Sequence, residues 1–158
     1  TYRDNFFDTI PPLIDGPVRS GDLKLLYRNR SLTRNATELS FYGIEAAMKQ
    51  NYGWQFAYLV FRNQELAKEV GLDEDFLTRI AESIENMELL EWKEDFEEGL
   101  EDGSQMNAEL QAQDQIAIDL KIRDKPAVVV NGSRGTEIVQ DAPDLDEIEA
   151  AIDKVSQG

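Results

Sequence analysis

The chain has 158 residues, with 32 acidic against 16 basic side chains, a net charge of -16, and neither cysteine nor histidine. That composition excludes thiol nucleophiles, disulfides, zinc sites with Cys or His ligands, imidazole bases and Ser-His-Asp triads within the chain. It also argues against nucleic-acid binding, because the mean field repels phosphate. An apolar fraction of 41%, with seven Phe, five Tyr and two Trp, is ample for one globular core. The apolar runs are far too short to span a bilayer and no signal-peptide pattern opens the chain, so a soluble protein without membrane insertion is expected. The carboxylates are spread along helices, which reads as a solvated acidic surface and fits the cytoplasm of a salt-adapted microbe. Thr1 is not a natural initiator, so residues upstream are expected to have been removed.

In chain order, Arg3 to Ile10 reads as a helix end stopped by Pro11-Pro12, because the residue before a proline is pushed out of the α region. Asp22 to Arg28 alternates Leu23, Leu25 and Tyr27 with polar residues and reads as a strand, with Leu26 adding apolar character to the second face. Thr37 to Asn51 and Trp54 to Gln64 have helical spacing, the second as a dense aromatic block of core type. Asp73 caps a helix to Glu85 that sets Phe76, Leu77, Ile80, Ala81 and Ile84 on one face. Glu91 to Leu100 carries Trp92, Phe96 and Leu100 at four-residue steps, and Gly103 ends it. Met106 to Leu120 is the longest helix.

Asp124 to Gly132 then gives a proline-opened valine strand closed by Asn131-Gly132, a step suited to the positive φ of a hairpin turn. The turn is expected over Asn131 to Gly135, with Thr136 to Val139 returning antiparallel. A capping box at Asp144 to Glu147 starts a last helix with Leu145, Ile148, Ile152 and Val155 on one face. The whole is an α/β layer with helices inserted after its first strand.

This order resembles the DsbA-like branch of the thioredoxin-fold proteins. Ile10-Pro11-Pro12-Leu13 followed by Gly21 to Arg28 is similar to that family's active-site helix and next strand. Phe61-Arg62-Asn63-Gln64, Asp75-Phe76-Leu77 and Ile80-Ala81 resemble its inserted helical subdomain. Ala117 to Ile122 leading into Lys125 to Gly132 resembles its cis-proline loop and strand, and Asp144 to Val155 its closing helix. The resemblance implies a thioredoxin-like mixed sheet, with residues 1–34 and 106–158 forming the thioredoxin part and residues 35–105 the helical insertion. It implies a cis peptide bond before Pro126, and polypeptide binding at Lys125 and Pro126. It implies thiol–disulfide exchange by a Cys-X-X-Cys pair at the start of the first long helix, where unpaired N–H groups stabilise a thiolate. No cofactor and no metal is implied.

The departure from the family is the missing pair. Its second cysteine is expected near Tyr2, and its first, together with a central strand, upstream of Thr1. Two readings follow: a DsbA-like oxidoreductase without catalytic cysteines in this chain, or a redox-inactive thioredoxin-fold module that binds a polypeptide or partner protein. A third is glutathione-dependent chemistry on the same fold. A sheet edge left open by a missing strand would be covered by a second copy, giving a homodimer.

Weaker constellations are read as structural. Glu91, Glu94, Asp95, Glu97, Glu98, Glu101 and Asp102 form an acidic stretch without EF-hand spacing, so a solvated helix face outweighs a Ca²⁺ site. Asn131 to Gly135 does not run from strand to helix, so it is not a phosphate loop. Trp54 and Trp92 are expected in the core, with a polypeptide groove as the other place for one of them.

Overall fold

The computed structural model describes residues 2–28, 36–123 and 126–156, with the backbone alone for residues 2, 3, 36 and 37. Helix α1 (Tyr2–Leu13) leads into a π-type turn (Ile14–Val18), followed by α2 (Ala36–Lys49), α3 (Gly53–Arg62), α4 (Gln64–Val70), α5 (Glu74–Glu82), α6 (Leu89–Leu100) and α7 (Gln105–Asp119). Strands β1 (Val128–Gly132) and β2 (Gly135–Val139) form an antiparallel hairpin, and α8 (Leu145–Val155) closes the order. The chain divides into two compact units, Tyr27–Ala117 and Thr1–Leu26 with Ile118–Gly158.

The helical unit is built on aromatic packing. In α2, Phe41, Ile44 and Ala47 are buried, and Gly43 allows close approach: a Cβ there would lie 3.1 Å from the Phe56 ring. Trp92 is wholly buried, stacked on Phe96 at 5.1 Å and on Phe56 at 5.6 Å, and its indole N–H donates to the Gly43 carbonyl at 2.9 Å. That bond lets an indole be buried without an orphaned donor. Asp73 caps α5 by accepting the Phe76 N–H at 2.9 Å, and Phe76, Leu77, Ile80 and Ala81 are buried on the inner face. The Tyr42 hydroxyl donates to Asn107 Oδ1 at 2.9 Å, tying α2 to α7, whose Met106 and Leu110 enter the same core.

Trp54 is only half-buried, its ring edge-on to Tyr27 at 5.8 Å, so of the two tryptophans Trp92 alone is fully inside. Burial and the neighbouring Glu45 carboxylate push the Tyr27 phenol up to about 12. Burial also raises the Glu45 carboxyl, against a hydrogen bond from Gln113 and the charge of Arg28.

The other unit holds the hairpin. Val130, Ala151 and Val155 form its buried cluster, with Val128, Val139 and Ile152 packed around them. Helix α8 starts with the expected capping box: Asp144 Oδ1 accepts the Glu147 N–H at 2.9 Å, and Glu147 Oε2 accepts the Asp144 N–H at 3.0 Å.

Three expectations change. First, α1 does not stop at Pro11-Pro12 but runs to Leu13 and kinks at Gly16, where φ is -97° and ψ is -105°. A proline costs about 3 kcal/mol inside a helix. Burying Leu13 on the inner side offsets part of the cost of the two prolines.

Second, residues 22–28 have no ladder, so the only sheet among the described residues is the hairpin and not the mixed sheet expected. The alternation survives without the pairing: residues 23, 25 and 27 are half-buried and residues 22, 24, 26 and 28 exposed. Leu26 is 56% exposed, which removes the second buried face. Third, α4 is an added short helix at residues the pattern left unassigned.

Candidate functional site

Pro126 is half-buried, two residues before β1, and its carbonyl accepts the N–H of Ala142 at 3.1 Å. The next residue, Pro143, is fully buried, and its carbonyl accepts Asn5 Nδ2 of α1 at 2.7 Å. Asn5 is fixed in turn, because Thr9 Oγ1 donates to its carbonyl at 2.6 Å. A relay of hydrogen bonds therefore runs from the proline loop through residues 142 and 143 to the first turns of α1.

Beside the relay lies a cleft of about 310 Å³ lined by Asn5, Asp8, Thr9, Asp144, Leu145 and Asp146. Its three aspartates are exposed, and Leu145 is half-buried. The aspartates make the cleft unfavourable for an anion.

The loop closing the relay is strained. Asp141 and Ala142 both have positive φ, 67° and 54°. An aspartate tolerates this region, but for alanine the clash of Cβ with the backbone costs about 1–2 kcal/mol. Strain of this kind persists only where the surroundings over-determine it, and it gathers at functional loops. The bond from the Ala142 N–H to Pro126 and the neighbouring bond from Asn5 to Pro143 are the determinants seen here.

Of the residues singled out in the sequence, Pro126 lies two residues before β1, outside the strand it was expected to open. Lys125, and with it the peptide bond before Pro126, lies outside the described residues, and Tyr2 is described by its backbone alone, as the first residue of α1. Asn5, Thr9, Asp141 and Ala142 were missed. Their roles come from tertiary hydrogen bonds and backbone angles, and nothing in their residue types announces them.

The hairpin turn also sits elsewhere than expected. Asn131 and Gly132 are in β1, paired with Thr136 and Gly135, and Ser133-Arg134 makes the turn; the positive φ belongs to Gly135. Gly132 serves close approach instead: a Cβ there would lie 2.3 Å from the Val155 carbonyl oxygen at the end of α8. That same carbonyl accepts the Arg134 N–H at 3.1 Å, so the turn is bolted to the helix C-terminus.

The acidic stretch of α6 lies mostly at the surface, and Asp95 and Glu98 pair with Lys49 at 2.6 and 3.7 Å. Among the described residues no group of three or more acidic side chains is arranged to hold a metal ion, and no helix is long and apolar enough to cross a membrane.

The chain matches no protein-family model and no curated protein. Among solved structures it is similar to a thioredoxin-like oxidoreductase from Silicibacter pomeroyi DSS-3. The TM-score is 0.69 at 16% identity, covering 96% of this chain and 77% of that one. That likeness establishes a thioredoxin-like fold for this chain, one in which helices dominate and the described sheet is a single hairpin.

Proposed function

We propose that this thioredoxin-like chain is a DsbA-like protein that holds an extended polypeptide at the Pro126 loop. The observation that carries the reading is the relay from the Pro126 carbonyl through Ala142 and Pro143 to Asn5. It ties the loop before β1 to the first turns of α1, the two elements between which a DsbA-like protein works on its substrate. In this reading residues 35–105, which fall within the compact unit Tyr27–Ala117, correspond to the family's inserted helical subdomain. Pro126, with Lys125 before it, presents backbone groups to the bound chain, and Tyr2 stands near the place of the family's second cysteine.

Disulfide exchange begins with attack by a thiolate on a disulfide sulfur. No residue among the 158 can supply that thiolate. The step these residues can perform is polypeptide capture, and exchange needs a thiol from outside them. The same count favours the second reading, a redox-inactive module that binds a polypeptide or partner protein through this groove. The net charge of -16 makes a polypeptide the fitting ligand and a polyanion an unfitting one.

The test is fluorescence anisotropy with a labelled, carbamidomethylated unfolded polypeptide, whose thiols are blocked without added charge. Saturable binding is expected. Asn5→Ala, which removes one hydrogen bond of about 1 kcal/mol, is expected to weaken it about fivefold. Pro126→Ala is expected to weaken it as well. Binding that neither substitution changes, or no binding, overturns the reading.

A further inference from the structure

The Asn131-Gly132 pair is left without a part in polypeptide capture, and its chemistry points elsewhere. An asparagine followed by glycine is the sequence most prone to imide formation, because no Cβ on the second residue hinders attack by its backbone nitrogen. Both residues are exposed at the end of β1. We propose that Asn131 is a deamidation site gated by the hairpin, closed while β1 and β2 are paired and open when they separate.

The step needs only water. The Gly132 amide nitrogen bonds to Asn131 Cγ and gives up its proton to solvent base. The Cγ–Nδ2 bond breaks, and the side-chain nitrogen leaves as ammonia. Water then opens the five-membered succinimide at either carbonyl, giving aspartate or isoaspartate, with no change of oxidation state.

Three observations hold the gate shut. Thr136 Oγ1 donates to Asn131 Oδ1 at 2.7 Å, fixing the side chain across the strand pair and away from the following amide. The register Asn131↔Thr136 and Gly132↔Gly135 keeps both residues in extended backbone, whereas ring closure needs the amide nitrogen folded back over Cγ. Gly132 also lies against the Val155 backbone, where even a Cβ has no room, so this stretch cannot rearrange while α8 is docked.

The consequence is directional. Isoaspartate routes the backbone through the side chain and adds one carbon to β1 where it meets α8. The hairpin cannot then return to its register, so one opening event leaves a permanent lesion and an added negative charge at this seam.

The test follows deamidation by mass spectrometry and isoaspartyl content at Asn131 during incubation in mildly alkaline buffer, for the folded protein and the same chain in urea. Reaction in the folded protein is expected to be at least about tenfold slower, because it scales with the fraction of open hairpin. Thr136→Val, which keeps shape and removes the hydroxyl, is expected to react faster than the parent while still folded by circular dichroism. Equal rates in folded and unfolded chains overturn the gate. A folded Thr136→Val chain reacting at the parent rate overturns the part given to the hydroxyl.

Discussion

The helical unit and the hairpin unit are held together by different means. Over Tyr27–Ala117 the order comes from burial: Phe41, Phe56, Trp92 and Phe96 lie within a continuous apolar core. Around the hairpin the buried cluster is Val130, Ala151 and Val155, with Leu13, Pro143 and Ile148 also buried, and hydrogen bonds to backbone set the loops: Asn5 to Pro143, Ala142 to Pro126, Arg134 to Val155 and the Asp144 capping box. Burial is non-directional and tolerant of small shifts, whereas hydrogen bonds fix position and orientation. A frame suits the first and a binding loop the second. The strained Ala142 lies in the unit whose loops are set by these bonds.

The largest test of this contrast is Trp92→Ala. It removes a wholly buried ring stacked on two others, together with its hydrogen bond to the Gly43 carbonyl. A loss of about 3–5 kcal/mol is expected by chemical denaturation. A loss below 1 kcal/mol would mean the aromatic stack is not what holds the helical unit.

Alkaline pH strikes the same unit next. The Tyr27 phenol is raised from an ordinary value of 10.0 to about 12, so the fold favours its protonated form. The stability this represents is fully present below pH 10.0 and is lost as pH rises toward about 12. It amounts to as much as about 3 kcal/mol. Tyr27→Phe is expected to flatten the fall of melting temperature across that window, and an unchanged slope would refute the assignment.

In the hairpin unit Gly132→Ala sets a Cβ against the Val155 carbonyl, and overpacking of this kind costs about 1–3 kcal/mol. Amide exchange in β1, β2 and α8 is expected to speed up together.

The smallest effect has the opposite sign. Ala142→Gly relieves the positive φ and is expected to stabilise by about 1 kcal/mol. If the strain orders the loop for its ligand, the same variant binds the polypeptide probe less tightly while melting higher. Higher melting with unchanged binding would make the strain incidental.

The sequence was legible where one segment carried its own signal. The Asp73 and Asp144 caps, the inner face of α5 and the span of α7 follow from periodicity and local hydrogen-bonding capacity. It misled where tertiary context decides. Pro11 and Pro12 sit inside α1 because Thr9 and Leu13 are buried around them. Asn131-Gly132 has the composition of a turn, yet the glycine answers a close approach by Val155 from a helix more than twenty residues away. Leu23 to Tyr27 keeps a strand's alternation because alternation is a property of the segment, whereas a ladder needs a partner that composition cannot supply. Pro126 was visible because proline constrains its own backbone. Asn5 and Ala142 were not, because their importance lies wholly in what they touch.

In the proposed reading the Pro126 loop and the first turns of α1 form one polypeptide-binding surface. Residue-resolved NMR of the isotope-labelled chain, titrated with the carbamidomethylated polypeptide, is the decisive measurement. Saturable shifts are expected to gather at Asn5, Asp8, Thr9, Ala127, Asp141, Ala142 and Asp144 to Asp146. Shifts absent from that set at saturating probe, or gathered instead on the helices of Tyr27–Ala117, would contradict it.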